Sequence, residues 1–370
     1  MSMRPRSSRR LGATATVTVT VTGVALAVLA AGLAAAPAAL AAPSGPAPHG
    51  SRAAPQGHGP DALRRLLATL PDGVTDAALV RVSGPGARLP YTGTAGPVEA
   101  DAVFPVGSVT KVFTDAVVLQ LVAEHRIGID EPVRPRFPDL IPAGYAGVTV
   151  RQLLDHTSDL PRPKPEPLAP RGLLAASFAE DAAKNPGRVP VPGTVQQYNG
   201  LNSFLAGLLV EQVTGRPYAE ELDRRILRPL GLRHTGLSED PSIAWAGAEG
   251  GLESNAADLD TFLRALTEGR LLPPAQQRHL FEVPEVPSAP GNTSCPPPTA
   301  CFSAGGLMGI ELNGTRVWGK TGSSGGWSSG IFMDPARHRR TVYTLRPDAG
   351  AHGNDQRTRV EAVVTAALIG

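Results

Sequence analysis

Two stretches decide the reading of this chain: Phe104-Pro105-Val106-Gly107-Ser108-Val109-Thr110-Lys111 and Trp318-Gly319-Lys320-Thr321-Gly322-Ser323-Ser324-Gly325-Gly326. An apolar run from Val112 to His125 follows the first and predicts a helix that starts at the serine. Three residues apart on a helix, Ser108 and Lys111 lie side by side, and the dipole end favours negative charge developing beside the serine. A serine hydroxyl needs a base to attack a carbonyl. Lysine serves once burial or a neighbouring cation lowers its pKa from about 10.4, which arginine cannot do.

The plain alternative is a solvated helix lysine after a capping serine. Composition weighs against it: the chain has 31 arginines and four lysines, Lys111, Lys164, Lys184 and Lys320, so arginine carries the surface charge. Two of the four lysines stand in these two stretches. If residues 317–323 form a strand, Lys320 and Gly322 face one side and Thr321 the other. The missing side chain at Gly322 leaves room for the Ser108 helix, and the strand edge offers backbone groups to an extended acyl donor. The competing reading of Lys320 is an exposed hairpin lysine beside a glycine turn.

Working outward, Pro60–Leu70 has the spacing of an amphipathic helix, and 77–82 and 89–96 read as strands joined by Gly84-Pro85-Gly86. Helices are predicted at 151–155, 171–184, 201–214, 217–227 and 258–267. Strands return at 308–312 and 315–319 around Asn313-Gly314, and again at 330–333 and 341–345 around Asp334-Pro335. Residues 356–368 close the chain as an amphipathic helix. This order predicts an α+β fold: an antiparallel sheet completed by both chain ends, flanked by N- and C-terminal helices, with a mainly helical lobe at about 112–245 and the active site in the seam.

Before residue 60 the sequence changes character. Arg4, Arg6, Arg9 and Arg10 are followed by no charged residue until Arg52. A basic start, an apolar stretch and Ala39-Leu40-Ala41 predict a signal peptide, residues 1–41, cleaved after Ala41. An uncleaved anchor is the weaker alternative, and Ser8-Arg9-Arg10-Leu11 leaves a twin-arginine route open. Residues 42–59 read as a flexible leader and 60–370 as one domain. Export makes Cys295 and Cys301 a predicted disulfide; zinc is the weaker reading, since two cysteines alone do not make a structural site. A net charge of +2 offers no basic stripe for nucleic acid, and no stable membrane anchor is expected after cleavage.

These stretches resemble the superfamily of serine β-lactamases and penicillin-binding proteins, whose signatures include Ser-x-x-Lys and Lys-Thr-Gly. Leu153-Leu154-Asp155-His156-Thr157-Ser158, Pro192-Gly193-Thr194, Pro229-Leu230-Gly231-Leu232 and Gly250-Gly251-Leu252 read like the branch holding class C β-lactamases, D-alanyl-D-alanine carboxypeptidases and related esterases. The resemblance runs from about residue 60 to the C-terminus. It implies Ser108 as acylated nucleophile, assisted by Lys111 and by Tyr198, the tyrosine of a Tyr-x-Asn motif. Lys320 would attract a substrate carboxylate, Thr321, Gly322 and Ser323 would line the substrate, and the backbone N–H groups of Ser108 and Ser323 would form the oxyanion hole. Small peptides, lactams or esters are the implied substrates, with cell-wall peptidoglycan as a partner and no metal or cofactor.

Carboxypeptidase-like activity is the leading expectation, ahead of β-lactamase and small-ester hydrolysis. A non-catalytic penicillin- or peptidoglycan-binding sensor is the rival of another class. Two positions depart from the branch. Gly200 stands where asparagine is usual, leaving Asn199 and Asn202 as neighbours to take its place, and Asp159 stands where glycine is common. Gly326-Trp327-Ser328-Ser329-Gly330 matches a nucleophile elbow in letters only, because a strand rather than a helix is predicted to follow it.

Overall fold

The computed structural model describes residues 60–85, 89–163, 167–295, 298–351 and 353–369. The signal-peptide and leader expectations, and Lys164, lie outside them. Nine strands, β1 Thr75–Ser83, β2 Tyr91–Ala95, β3 Phe104–Pro105, β4 Gly236–Leu237, β5 Leu252–Ser254, β6 Met308–Leu312, β7 Thr315–Ser324, β8 Trp327–Asp334 and β9 Arg339–Pro347, form two sheets. The larger is antiparallel in the order β2-β1-β9-β8-β7-β6, so the first strand pairs with the last and Leu79 sits opposite Thr344. Asn313 and Gly314 both take positive φ in the β6–β7 turn, as a tight hairpin of this type requires.

Alternation along the strands sends apolar side chains to both faces. Val80, Val82, Val317, Phe332, Tyr343 and Leu345 pack beneath the terminal helices Pro60–Leu67 and Gly353–Val364, with Leu63, Leu67, Val363 and Val364 among the buried partners. Leu79, Trp318, Ile331, Met333 and Val342 face the helical lobe and join its core. There the Thr110–Ala123 and Gly200–Thr214 helices are buried nearly all round, as their long apolar runs dictate.

The expected 217–227 helix is instead split: Tyr218–Leu222 is α-helical, Asp223–Leu227 widens to a π turn, and Arg228–Leu230 ends at Gly231 in the left-handed region. Pro229 lacks an N–H and breaks the regular ladder there. A second sheet, β3-β5-β4, and the short helix Gly247–Gly250 lie behind Ser108; runs of two to four residues carry too little periodicity to be read from sequence.

Candidate active site

Ser108 lies in a 3-10 turn, Gly107–Val109, that leads into the Thr110–Ala123 helix. The turn presses against β7. A Cβ on Gly322 would fall 2.0 Å from the Val106 carbonyl oxygen, and one on Gly107 would fall 2.7 Å from the Ser323 nitrogen. Gly107 also has φ +50°, where side chains are strained. Glycine is therefore required on both sides of the contact. The same approach sets the Ser108 and Ser323 amides on adjoining backbone segments at the sheet edge.

Lys111 is almost wholly buried, with its Nζ 3.2 Å from Ser108 Oγ, and it donates to the Glu249 backbone carbonyl at 2.7 Å and to the Glu249 carboxylate. Tyr198 comes from the segment just before the Gly200–Thr214 helix. Its ring centroid is 5.3 Å from Lys111 Nζ and 4.8 Å from Lys320 Nζ, and its enclosed hydroxyl makes no well-aligned hydrogen bond among the described residues. Lys320, buried on β7, donates to the Thr321 carbonyl at 2.8 Å. The structure thus brings Ser108, Lys111, Tyr198 and Lys320 into one cluster, with Ser323 exposed at its edge and Thr321 half-buried beside it.

The charges are mutually dependent. Burial works to lower the Lys111 pKa, but the Glu249 carboxylate and Tyr198 more than offset it, and the group lies above the ordinary lysine value. Burial works to raise the Tyr198 phenol, yet the Lys111 and Lys320 ammonium groups pull it below the ordinary value. Lys320 is pushed down, by burial first and Lys111 second. The Glu249 carboxylate in contact with Lys111 favours the ammonium form of that lysine, and Tyr198 is the group moved toward its basic form.

Glu249 is the residue that sequence reasoning missed. The available signals were Gly200 and a glutamate immediately before Gly250-Gly251. Neither neighbouring asparagine replaces the missing side chain. Asn199 caps the following helix through Leu201 N and donates to the carbonyls of Leu160 and Pro161, all at 2.9 Å. Asn202 is fully buried between Ser158 Oγ and His156 Nδ1. His156 packs its ring 4.7 Å from that of Tyr198, and burial and the two lysines hold its pKa well below the usual histidine value.

Asp159 gains an explanation as well: it has φ +53°, a region that favours glycine, and its carboxylate accepts from Val191 N at 2.9 Å and from Arg188. Aspartate tolerates this region when its side chain bonds locally.

Cys295 and Cys301 are joined, with Cα atoms 5.6 Å apart. The two cysteines pack with Phe302 and Met308 against Tyr198. Buried Gln196 ties their loop down, accepting from Cys301 N at 2.8 Å and Phe302 N at 3.0 Å and donating to the Phe302 and Asp155 carbonyls. Ser328 and Ser329 lie in β8, which begins at Trp327, so no helix follows Gly326, and Ser329 Oγ donates to the Pro105 carbonyl. Among the described residues no group of three or more His, Cys, Asp or Glu is placed to hold a metal, and no helix is long and apolar enough to cross a membrane.

An antiparallel sheet with a helical lobe and a Ser-x-x-Lys turn lodged against a Lys-Thr-Gly strand defines the class of penicillin-binding-protein and β-lactamase-like serine hydrolases. The profile of the Beta-lactamase family matches residues 63–365, and the chain belongs to that family. A D-stereospecific amidohydrolase from Streptomyces sp. superposes with a TM-score of 0.68 at 29% identity, covering 83% of this chain and 97% of that one. Penicillin-binding protein 4 of Amycolatopsis lactamdurans is 29% identical over 203 residues, 47% of this chain and 53% of the relative. The D-alanyl-D-alanine-carboxypeptidase/endopeptidase AmpH of Escherichia coli K12 is 27% identical over 150 residues, 39% of each chain. The matched regions span about half the length of these curated relatives or less.

Proposed function

We propose that this chain is an exported serine hydrolase that works through a Ser108 acyl-enzyme, most like a D-alanyl-D-alanine carboxypeptidase. The observation that carries the reading is the cluster itself: Ser108 Oγ 3.2 Å from Lys111 Nζ, with Tyr198 between Lys111 and Lys320. Ser108 Oγ attacks the carbonyl carbon while its proton passes to the Tyr198 oxygen. The backbone N–H groups of Ser108 and Ser323 hold the oxyanion. Tyr198 returns the proton to the departing amine as the C–N bond breaks, leaving the acyl group on Ser108. Water then adds to the ester carbonyl, releases the acid and restores the serine hydroxyl.

Lys320 would receive the substrate carboxylate, with Thr321 as a hydrogen-bonding neighbour. Export after cleavage at Ala41 is supported by the disulfide, which persists in oxidising compartments. The likeness to the Streptomyces amidohydrolase, which extends over nearly the whole of that protein, favours D-amino-acid amides as a second substrate class.

The test is intact-protein mass after exposure to benzylpenicillin, with release of D-alanine from a D-alanyl-D-alanine peptide and of amine from a D-amino-acid anilide measured in parallel. An adduct on the native protein, absent in Ser108→Ala, together with D-alanine release is expected. Anilide cleavage alone shifts the reading to the amidase. Binding with neither adduct nor turnover makes the protein a sensor, and an adduct that persists in Ser108→Ala refutes the nucleophile.

A further inference from the structure

Gly200 and Glu249 are far apart in sequence, yet they share one small volume. A Cβ built on Gly200 meets Glu249 Oε1 at 3.0 Å, Cγ at 3.2 Å and Cδ at 3.3 Å, tighter than a side chain there tolerates without displacing the carboxylate. That carboxylate is bonded to the Lys111 ammonium, whose other partners are Ser108 Oγ and the Glu249 carbonyl. The segment bearing Glu249 is fixed by the helix that bears Lys111: Thr114 Oγ1 donates to the Ala248 carbonyl at 2.7 Å, and Leu252 N donates to Thr110 Oγ1 at 3.2 Å. On its other side Ala248 closes on Gly207, where an added Cβ would come within 2.5 Å of the alanine Cβ. Glu249 is therefore held from two helices, and its side chain remains 23% exposed.

We propose that Glu249 is a positioning residue of the acylation site: its carboxylate takes the volume left by Gly200 and holds the Lys111 ammonium against Ser108. The proposal rests on Ser108 being the acylated residue. The charged and titratable groups around Lys111 are Glu249 from the Gly247–Gly250 helix, Tyr198 from the loop before Gly200, Lys320 from β7, Asp115 from its own helix, and His156 behind Tyr198. Lys320 is a like charge, and burial, with the two lysines, holds the His156 pKa well below the usual histidine value. Asp115 is pushed toward its protonated form, by burial above all. Glu249 is thus the carboxylate in hydrogen-bonded contact with Lys111.

The sign of its effect distinguishes this role from a neutral-lysine mechanism. Without the Glu249 charge, burial acts on Lys111 opposed only by Tyr198, and the lysine loses its proton at lower pH. If catalysis needs the ammonium, the alkaline limb of the acylation profile moves down. If catalysis needs the free amine, activity is gained near neutrality instead.

The experiment measures the second-order rate of fluorescent-penicillin labelling from pH 5 to 11 for the native protein, Glu249→Gln, Gly200→Asn and Gly200→Asn/Glu249→Ala, with thermal melts of each. For Glu249→Gln we expect an alkaline limb lower by about 1 pH unit or more, the scale of a contact ion pair, at an unchanged melting temperature. Gly200→Asn should label at least tenfold more slowly, and adding Glu249→Ala should recover part of that loss. A profile indifferent to Glu249→Gln, a gain at neutral pH, or a double variant no better than Gly200→Asn overturns the inference. A native protein that takes no label on Ser108 instead brings down the functional reading beneath it.

Discussion

Tyr198 has two ammonium groups close to its ring in an enclosure that offers its hydroxyl no well-aligned hydrogen bond among the described residues, and against the cost of burial their charge displaces the phenol toward its charged form. Tyr198→Phe should therefore lower the acylation rate by roughly 10²- to 10⁴-fold, the usual worth of general-base assistance, with little change in melting. The native rate should rise with pH and level off below the ordinary phenol value near 10, because deprotonation activates this group and its pKa is depressed; a rate flat across pH 5–10 would exclude the phenolate. The lysines separate by environment. Lys111 serves three acceptors with one ammonium, and a planar guanidinium cannot repeat that fan of bonds, so Lys111→Arg should acylate far more slowly than Lys320→Arg, which keeps a positive field for a carboxylate. Equal, near-native rates in both would remove the lysines from the mechanism. Ser108, Lys111 and Lys320 could be read from sequence because residue type and spacing alone single them out in an arginine-rich chain. Glu249 could not, since its role arises from a meeting 138 residues distant from Lys111 and from a side chain absent at Gly200.

The turn at Gly107–Val109 and strand β7 meet backbone to backbone, and that contact aligns the serine with the sheet edge. Gly322→Ala puts a methyl 2.0 Å from the Val106 carbonyl, so the turn must retreat. We expect a loss of about 1–3 kcal/mol in stability and a larger proportional loss of penicillin labelling, read by melting and by labelling rate on the same samples; labelling at the native rate would show that the close approach is dispensable. The disulfide acts beside Tyr198. Its closed loop is short, with a sequence separation of 6, and chain entropy assigns such a loop about 2 kcal/mol. Replacing both cysteines by serine should therefore lower the melting point moderately while slowing acylation, because Phe302 and Met308 under Tyr198 lose their tether. Elements of this size show why legibility was uneven: the long apolar helices and the Asn313-Gly314 hairpin announce themselves by period and turn chemistry, whereas β3, β4, β5 and the Gly247–Gly250 helix exist only because larger pieces pin them.

At the scale of the molecule, the sheet joins the two ends of the chain side by side: β1 and β2 come from the beginning, β6 to β9 from the end, and β1 pairs along its length with β9. The six-stranded sheet is complete only with strands from both ends of the chain. The C-terminal segment completes the far face, where Val363, Val364 and Leu368 are buried against Val80, Phe332 and Leu345. Three such side chains contribute roughly 5–9 kcal/mol at about 1.5–3 kcal/mol each, comparable to the whole net stability of a domain, about 5–15 kcal/mol. A chain ending at Pro347 should consequently lose its cooperative melt and all penicillin labelling, although every residue of the acylation site lies before that point. A chain beginning at Pro60 should keep both, since the helix covering the sheet starts there and residues 42–59 carry few side chains able to extend a core. Circular dichroism melts and labelling of the two truncations test this directly. Labelling by the chain ending at Pro347 would mean that the C-terminal helix is ornament to the sheet, and loss of labelling in the chain beginning at Pro60 would move the start of the folded domain toward the N-terminus.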